Sequence, residues 1–386
     1  MKREDRFMLL CARIDAAPFA DDIRALLGSS LDWTYLDPLI ARHGLAPLVH
    51  RHIEAIAPGA VPRAVLASLW ARHEATARRN RSMAIELCEI VSQLEANGIA
   101  ALPYKGPALA VTLYGDIALR EFGDLDILVR RRDVAPARAL LQSRGYVPLH
   151  SLTPALEAAL VRSRRLYELP LADERRRMLV ELHWQSGREA GVLPPDDDRW
   201  WDNLPTVPFE GIGIRVIPDR ELLLALSLHG TKHHWSSLGW LVDIAELMRR
   251  PHLDWAWIAT RARALGCERR VGLGFHLAGI LLDAPMSAEA RALASDKEVR
   301  RIGAEISRAL FEPEFRQPGV FQALRIDLSL CAGKRQRLRH LVGSLFTPGV
   351  GEWTRWPLPR ALFFLYFPLR VARLAGKYFF GLGAKA

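Results

Sequence analysis

Two aspartates, Asp124 and Asp126, open an apolar run of Leu125, Ile127, Leu128 and Val129 with the composition of a buried strand. Side chains at i and i+2 of a strand project from one face, roughly 6.6 Å apart. Two carboxylates so placed repel one another and lose hydration, so they require a positive partner. A divalent cation with oxygen ligands, magnesium above all, meets that requirement. Two such ions about 3.5–4 Å apart are a general device for phosphoryl transfer, one activating an oxygen and the other stabilising one. A two-metal site needs a third carboxylate on a neighbouring strand, and Glu181 supplies it. It interrupts the apolar alternation Met178-Leu179-Val180-Glu181-Leu182-His183-Trp184, an expensive place for a charge unless a cation meets it. His183 follows on the same face. It would serve as a phosphate donor, as a support to the metal ligands or as a hydrogen-bonded interior histidine, and the last is the expectation.

Lys105-Gly106 stands at a strand-to-helix junction upstream of the aspartates. Gly106 would let the backbone approach a phosphate, and the next helix would present free N–H groups to it. Lys105 would add a point charge. Lysine is scarce here, 7 of 53 basic residues, which favours a specific role at this position.

The elements that must hold these groups are legible in the periodicity. Residues 1 to about 80 recur at three and four, as in Val65, Leu66, Leu69 and Trp70, and read as helices. Met83 to Ala96 continues that pattern until Asn97-Gly98 stops it. Ile99–Tyr104 suits a strand, Gly106–Leu113 a helix opened by Pro107, and Asp124–Arg130 the second strand. Asp133 is placed to cap a helix ending at Gly145, and Tyr146–Leu149 gives a further strand. Leu166–Leu171 and Met178–Trp184 flank the charged turn Asp173–Arg177 as a hairpin. Pro194 to Asp198 is a surface loop, and after Pro218 the helical pattern returns to the end. The expected fold is α+β / α/β with a small mixed sheet: a helical region over 1–82, the α/β core over 83–218 and a helical region over 219–386.

At 386 residues the chain can bury a large core in two or three domains. A net charge of +10 suits an anionic partner, although an arginine bias this strong also follows from the base composition of a coding sequence. Cys11, Cys88, Cys267 and Cys331 form no CxxC pair, which excludes a zinc ribbon and argues against a disulfide framework. The N-terminus lacks a signal-peptide pattern, and no segment reaches the ~18 apolar residues of a membrane span. The nearest, Ala361–Leu369, ends at Arg370 and Arg373. A cytoplasmic location is the expectation.

The stretch Tyr104-Lys105-Gly106, Leu113-Tyr114-Gly115-Asp116, Leu119-Arg120, Gly123-Asp124-Leu125-Asp126-Ile127-Leu128-Val129 and Gly145-Tyr146 resembles the uncharacterised bacterial nucleotidyltransferase family of the DNA polymerase β-like superfamily. Glu181-Leu182-His183-Trp184 and the segment from His229 through Trp235 to Asp243 also resemble its motifs, the match running from about residue 85 to 250. The resemblance implies a minimal nucleotidyltransferase core, an NTP with two Mg²⁺, and transfer of a nucleoside monophosphate to an acceptor hydroxyl. It implies Asp124 and Asp126 as the metal-binding pair, Glu181 as the third carboxylate and Gly106 as the phosphate-side glycine. Where the superfamily commonly has Gly-Ser, this chain has Gly106-Pro107, and proline offers neither a hydroxyl nor an N–H. Lys105, Arg120 or the helix terminus would steady the leaving pyrophosphate.

His229, Lys232 and His233 share one helix face. Gly230 stands where a zinc-protease helix needs glutamate, which argues against that reading. A lid with Lys232 near a phosphate is one role; capping and packing of the helix is the other. Trp235 and Trp240 are expected in the core. The acceptor is unidentified: a small molecule, a sugar, a protein or an RNA end. Two other classes stay open, a catalytically weak nucleotide-sensing or interaction module and a nucleic-acid-binding protein. The basic clusters Arg162/Arg164/Arg165, Arg175–Arg177 and Lys334–Arg339 read first as solvated faces, so nucleic acid is not favoured. Leu358–Phe380 is aromatic and basic but interrupted by Pro368. It is expected to dock on the protein's own core rather than at a membrane interface.

Overall fold

In the computed structural model, which describes residues 1–163, 166–187, 192–314 and 317–379, the run after Asp124 is an inner strand of a five-stranded sheet. The strands are β1 (Ala101–Pro103), β2 (Leu125–Val129), β3 (Val147–Pro148), β4 (Glu168–Asp173) and β5 (Met178–His183), in the order β1-β2-β5-β4-β3. Among the described residues of this sheet, β2 and β5 pair in parallel and the other three pairings are antiparallel. A parallel pair needs a long crossover. The helices Val134–Ser143 and Pro154–Arg162, with β3 and β4, supply it. All five residues of β2 are buried, as a strand covered on both faces requires. The mixed α+β architecture with helical flanks is the one expected.

The differences in detail have local causes. Asp124 lies just before its strand, and the helix after Lys105 covers Gly106–Leu109 before widening into a π turn, Ala110–Tyr114. Asp133 occupies the N-cap of Val134–Ser143, yet its side chain makes no capping bond. The helix Pro154–Arg162 and a separate hairpin, β6 (Thr206–Phe209) and β7 (Ile212–Arg215), fall outside the sequence expectation. Pro208 disguises β6 as a loop, while Glu210-Gly211, both at positive φ, is the two-residue turn that betrays the hairpin.

The helix Arg63–Ala96 runs unbroken for 34 residues and joins two cores. Its first half places Leu69 in a helical core shared by elements from both ends of the chain, including Phe7, Ile40, Leu241 and Phe275. His43 stitches those ends: Nε2 meets the Leu310 carbonyl at 2.9 Å, and Nδ1 accepts from the Leu238 N–H. The second half of the long helix, with Leu87, Ile90 and Leu94, packs on the sheet core. Tyr366 from the segment Leu358–Phe380 joins that core, as expected, and Trp353 just before the segment joins it too. Pro368 does not interrupt the segment, because it is the third residue of the helix Tyr366–Phe379, where proline is tolerated. Arg164, Arg165 and Phe380 lie outside the described residues. No described helix is long and apolar enough to cross a membrane.

Candidate active site

The register of β2 and β5 sets Asp126 beside Glu181 and Leu128 beside His183. Alternation along each strand then brings Asp126, Glu181 and His183 to one face, with ligand atoms within 4.8 Å of one another. His183 Nε2 lies 3.0 Å from Asp126 Oδ1 and 3.3 Å from Glu181 Oε2. Across the hairpin, β4 adds Glu168, whose Oε2 is 3.8 Å from His183 Nδ1. Asp126 and His183 are buried, and Glu181 is half-buried.

Lys105, two residues beyond β1, closes the other side: its Nζ is 2.6 Å from Asp126 Oδ1. Gly106 makes this approach possible. Its φ is +50°, and a Cβ there would sit 3.0 Å from the Asp124 carbonyl oxygen. The close approach that requires glycine is therefore between the Lys105 loop and the Asp124 loop.

Burial alone would raise the Asp126 carboxyl, but Lys105 and His183 outweigh it and hold that group well below the usual carboxylate range. Burial likewise disfavours the Lys105 charge, and Asp126 and Asp124 more than restore it. For His183 burial is outweighed by its bonds to Asp126 and Glu181, which lift the imidazole to about 9. Glu181, despite burial, is lowered by His183. Asp124 differs. Burial and the Asp126 charge push it up to about 6, with Lys105 offsetting only part. No hydrogen bond reaches its carboxylate among the described residues. Asp126 Oδ2 is also buried without a partner. Each of these two carboxylates thus has an uncompensated oxygen or charge.

A cleft of about 800 Å³ opens beside the cluster. Lys105, His183, Tyr104, Tyr167 and Glu168 line it together with Lys232, Arg270 and residues of the helix Lys334–Phe346. Asp126 is joined to the cleft by Lys105 and His183, which bond it. Lys232 extends its Nζ to Glu168 Oε1 at 3.4 Å and over the Tyr167 ring. His229 Nδ1 is 3.5 Å from Lys105 Nζ, and burial with that nearby charge keeps its imidazole well below the usual range.

Arg120 is placed differently. Its Nε and Nη2 grip Asp243 at 3.0 and 2.9 Å, and Tyr114 Oη donates to the same carboxylate at 2.7 Å. Trp235 is fully buried, and its ring occupies the space a side chain at Gly230 would fill. Trp240 is half-buried against His229 and His233.

The structure thus gathers Asp126, Glu181 and Lys105 with Asp124 and Gly106 adjoining. It holds Lys232 one residue layer away on Glu168 and commits Arg120 to Asp243. His183, expected as an interior histidine, is both buried and part of the potential ligand set. Its signal was the same i, i+2 spacing to Glu181 that marks the aspartates. Glu168 and Tyr167 carried no such signal, whereas Tyr104 and His229 stood only within the resembled motifs and, for His229, at helical spacing to Lys232 and His233. A family model described as uncharacterised nucleotidyltransferase matches residues 29–283, so the match takes in N-terminal helices as well as the sheet. No curated protein and no solved structure matches the chain.

Proposed function

The chain belongs to the uncharacterised nucleotidyltransferase family, and from that premise we propose that it uses magnesium to transfer a nucleoside monophosphate from an NTP to an acceptor hydroxyl. The observation that carries this reading is the partnerless buried Oδ2 of Asp126 beside an Asp124 carboxyl lifted to about 6. Both features fit a divalent cation, and the carboxylate oxygens of Asp124, Asp126 and Glu181 suit magnesium. Those three residues would hold the ions, which when bound neutralise phosphate charge and make an acceptor oxygen more acidic.

The chain's own groups divide the remaining tasks. Glu181, kept ionised by His183 and partly exposed, is the candidate to accept the proton of the acceptor hydroxyl. His183 orients Asp126 and Glu181 through its two contacts. Lys105 and Lys232 put positive charge on the cleft wall, where the phosphate oxygens are assigned. Arg120 is committed to Asp243 and is assigned no phosphate.

A second reading, a nucleotide-sensing module without turnover, draws on the Lys105–Asp126 pair, which compensates one carboxylate without any ion. Calorimetric titration of ATP, GTP, CTP and UTP with Mg²⁺ into wild type and Asp124→Ala/Asp126→Ala tests the first reading. Metal-dependent binding by wild type alone supports it and selects the base for an acceptor screen. Absence of nucleotide binding by folded wild type sinks it. Binding without turnover across a broad acceptor panel favours the module.

A further inference from the structure

The charge of this protein is concentrated at one end. Residues 332–386 contain ten lysines and arginines against one acid, Glu352, a net +9 of the chain's +10. Glu352 is fully buried and bound by Arg370 and Arg373, so it neutralises nothing at the surface. Lys334, Arg335, Arg337 and Arg360 are exposed, with no ion-pair partner among the described residues.

The same end leaves apolar side chains in solvent. The helix Lys334–Phe346 turns Gln336, Arg339, His340 and Gly343 to the cleft. It exposes Leu338 (62 %), Val342, Leu345 and Phe346, which recur at i, i+4, i+7 and i+8 on one face. Arg370 donates to the Ser344 carbonyl at 2.9 Å and ties on the helix Tyr366–Phe379. That helix and the turn before it expose Phe364 (61 %), Phe367 and Val371, again at one-face spacing. Adjoining helices with unpartnered apolar stripes and unpaired cations are uncommon on a protein that meets only water.

We propose that this end docks on the surface of an anionic lipid bilayer. The apolar side chains of the two helices enter the boundary between headgroups and acyl chains, and the unpaired cations meet lipid phosphates. Complementary charge alone would also suit a nucleic acid, but phosphate-backbone contacts give Leu338, Val342 and Leu345 nothing to pack on. The cleft-facing side of Lys334–Phe346 would then lie close to the membrane. This inference uses none of the site carboxylates and stands apart from nucleotidyl transfer.

Co-sedimentation of the full chain with phosphatidylcholine vesicles, with and without phosphatidylglycerol, tests it. The comparison sets wild type against Leu338→Glu/Phe367→Glu and Arg335→Gln/Arg337→Gln, each checked for folding by thermal melting. Wild type is expected to bind only anionic vesicles and to release in salt. The apolar double variant loses binding, and each charge removed weakens it roughly fivefold. If the apolar variant fails to fold, the charge variant decides. No vesicle binding by folded wild type overturns the proposal, as does binding that neither variant weakens. A dimer dispersed by Leu338→Glu/Phe367→Glu, with no vesicle binding, would reassign the face to a second copy. Salt-sensitive RNA or DNA binding unaffected by that variant, again without vesicle binding, would reassign the charge to nucleic acid.

Discussion

The Lys105 ammonium lies 2.6 Å from the Asp126 carboxylate, and both side chains are closed to solvent. A pair so buried stands or falls together, because removing one partner strands the other charge in a poorly polarisable interior. Lys105→Met is therefore expected to destabilise the metal-free protein by about 3–5 kcal/mol. Mg²⁺ should recover part of that loss, since it supplies the missing positive charge. Thermal melts with and without the ion check this, and an unchanged melting temperature would remove the pair from the account.

Asp124 gives the opposite sign. Its carboxyl is raised to about 6, so the folded protein takes up a proton that the unfolded chain has lost above ~4. Stability falls as pH rises from about 4 through about 6. Asp124→Asn should thus stabilise the metal-free protein by roughly 2 kcal/mol at about pH 7 and by little at about pH 4. With Mg²⁺ present the order reverses. Urea denaturation at the two pH values reads the effect; equal midpoints at the higher pH would refute it.

His183, lifted to about 9, stabilises the fold in its charged form. That contribution is complete below about pH 6.5 and is lost as pH rises through about 9. In His183→Gln the alkaline loss should disappear. An NMR titration of the metal-free wild type should place the imidazole well above the ordinary range, and an ordinary value would count against the cluster as described.

Arg120 and Asp243 form a buried bidentate pair that also receives Tyr114. Arg120→Met is expected to cost about 3–5 kcal/mol, and Asp243→Asn added to it should restore a good part. If Arg120 serves only to neutralise the buried Asp243 carboxylate, the restored double variant keeps wild-type nucleotide affinity. A large loss of affinity in a well-folded double variant would return Arg120 to the phosphate.

Two glycines should fail for different reasons. Gly106→Ala forces a side chain into left-handed backbone and within 3.0 Å of the Asp124 carbonyl, costing about 1–2 kcal/mol and displacing the Lys105 loop. Gly230→Ala meets Trp235 ring atoms at 2.3–2.5 Å, an overpacking penalty of about 1–3 kcal/mol or more. The first is predicted to impair Mg²⁺-dependent nucleotide binding beyond its stability cost, the second to impair stability alone. Denaturant midpoints paired with calorimetry separate them.

The apolar strand that carries Asp126, the hairpin strand that carries Glu181 and the helices on either side were legible in the sequence because each rests on spacing along the chain. An i, i+2 repeat puts two side chains on one side of an extended backbone, as it does for Glu181 and His183 on β5, whereas Asp124 lies in the bend before β2 and outside the cluster of Asp126, Glu181 and His183. Apolar recurrence at three and four marks a helix for the same local reason, and family motifs in their order added the expected core. What sits against those residues was decided by tertiary structure. The register of β2 against β5 chose Glu181 and His183 as neighbours of Asp126. Packing of segments 123 residues apart gave Arg120 to Asp243 instead of leaving it in the cleft. The positive φ of Gly106 serves contact with Asp124, and the hairpin β6–β7 hid behind Pro208. Exposure of the C-terminal apolar faces likewise depends on which side of each helix found the core. A pattern of residue types specifies local geometry, whereas the partners of a buried charge or an apolar face follow from register and packing between distant parts of the chain.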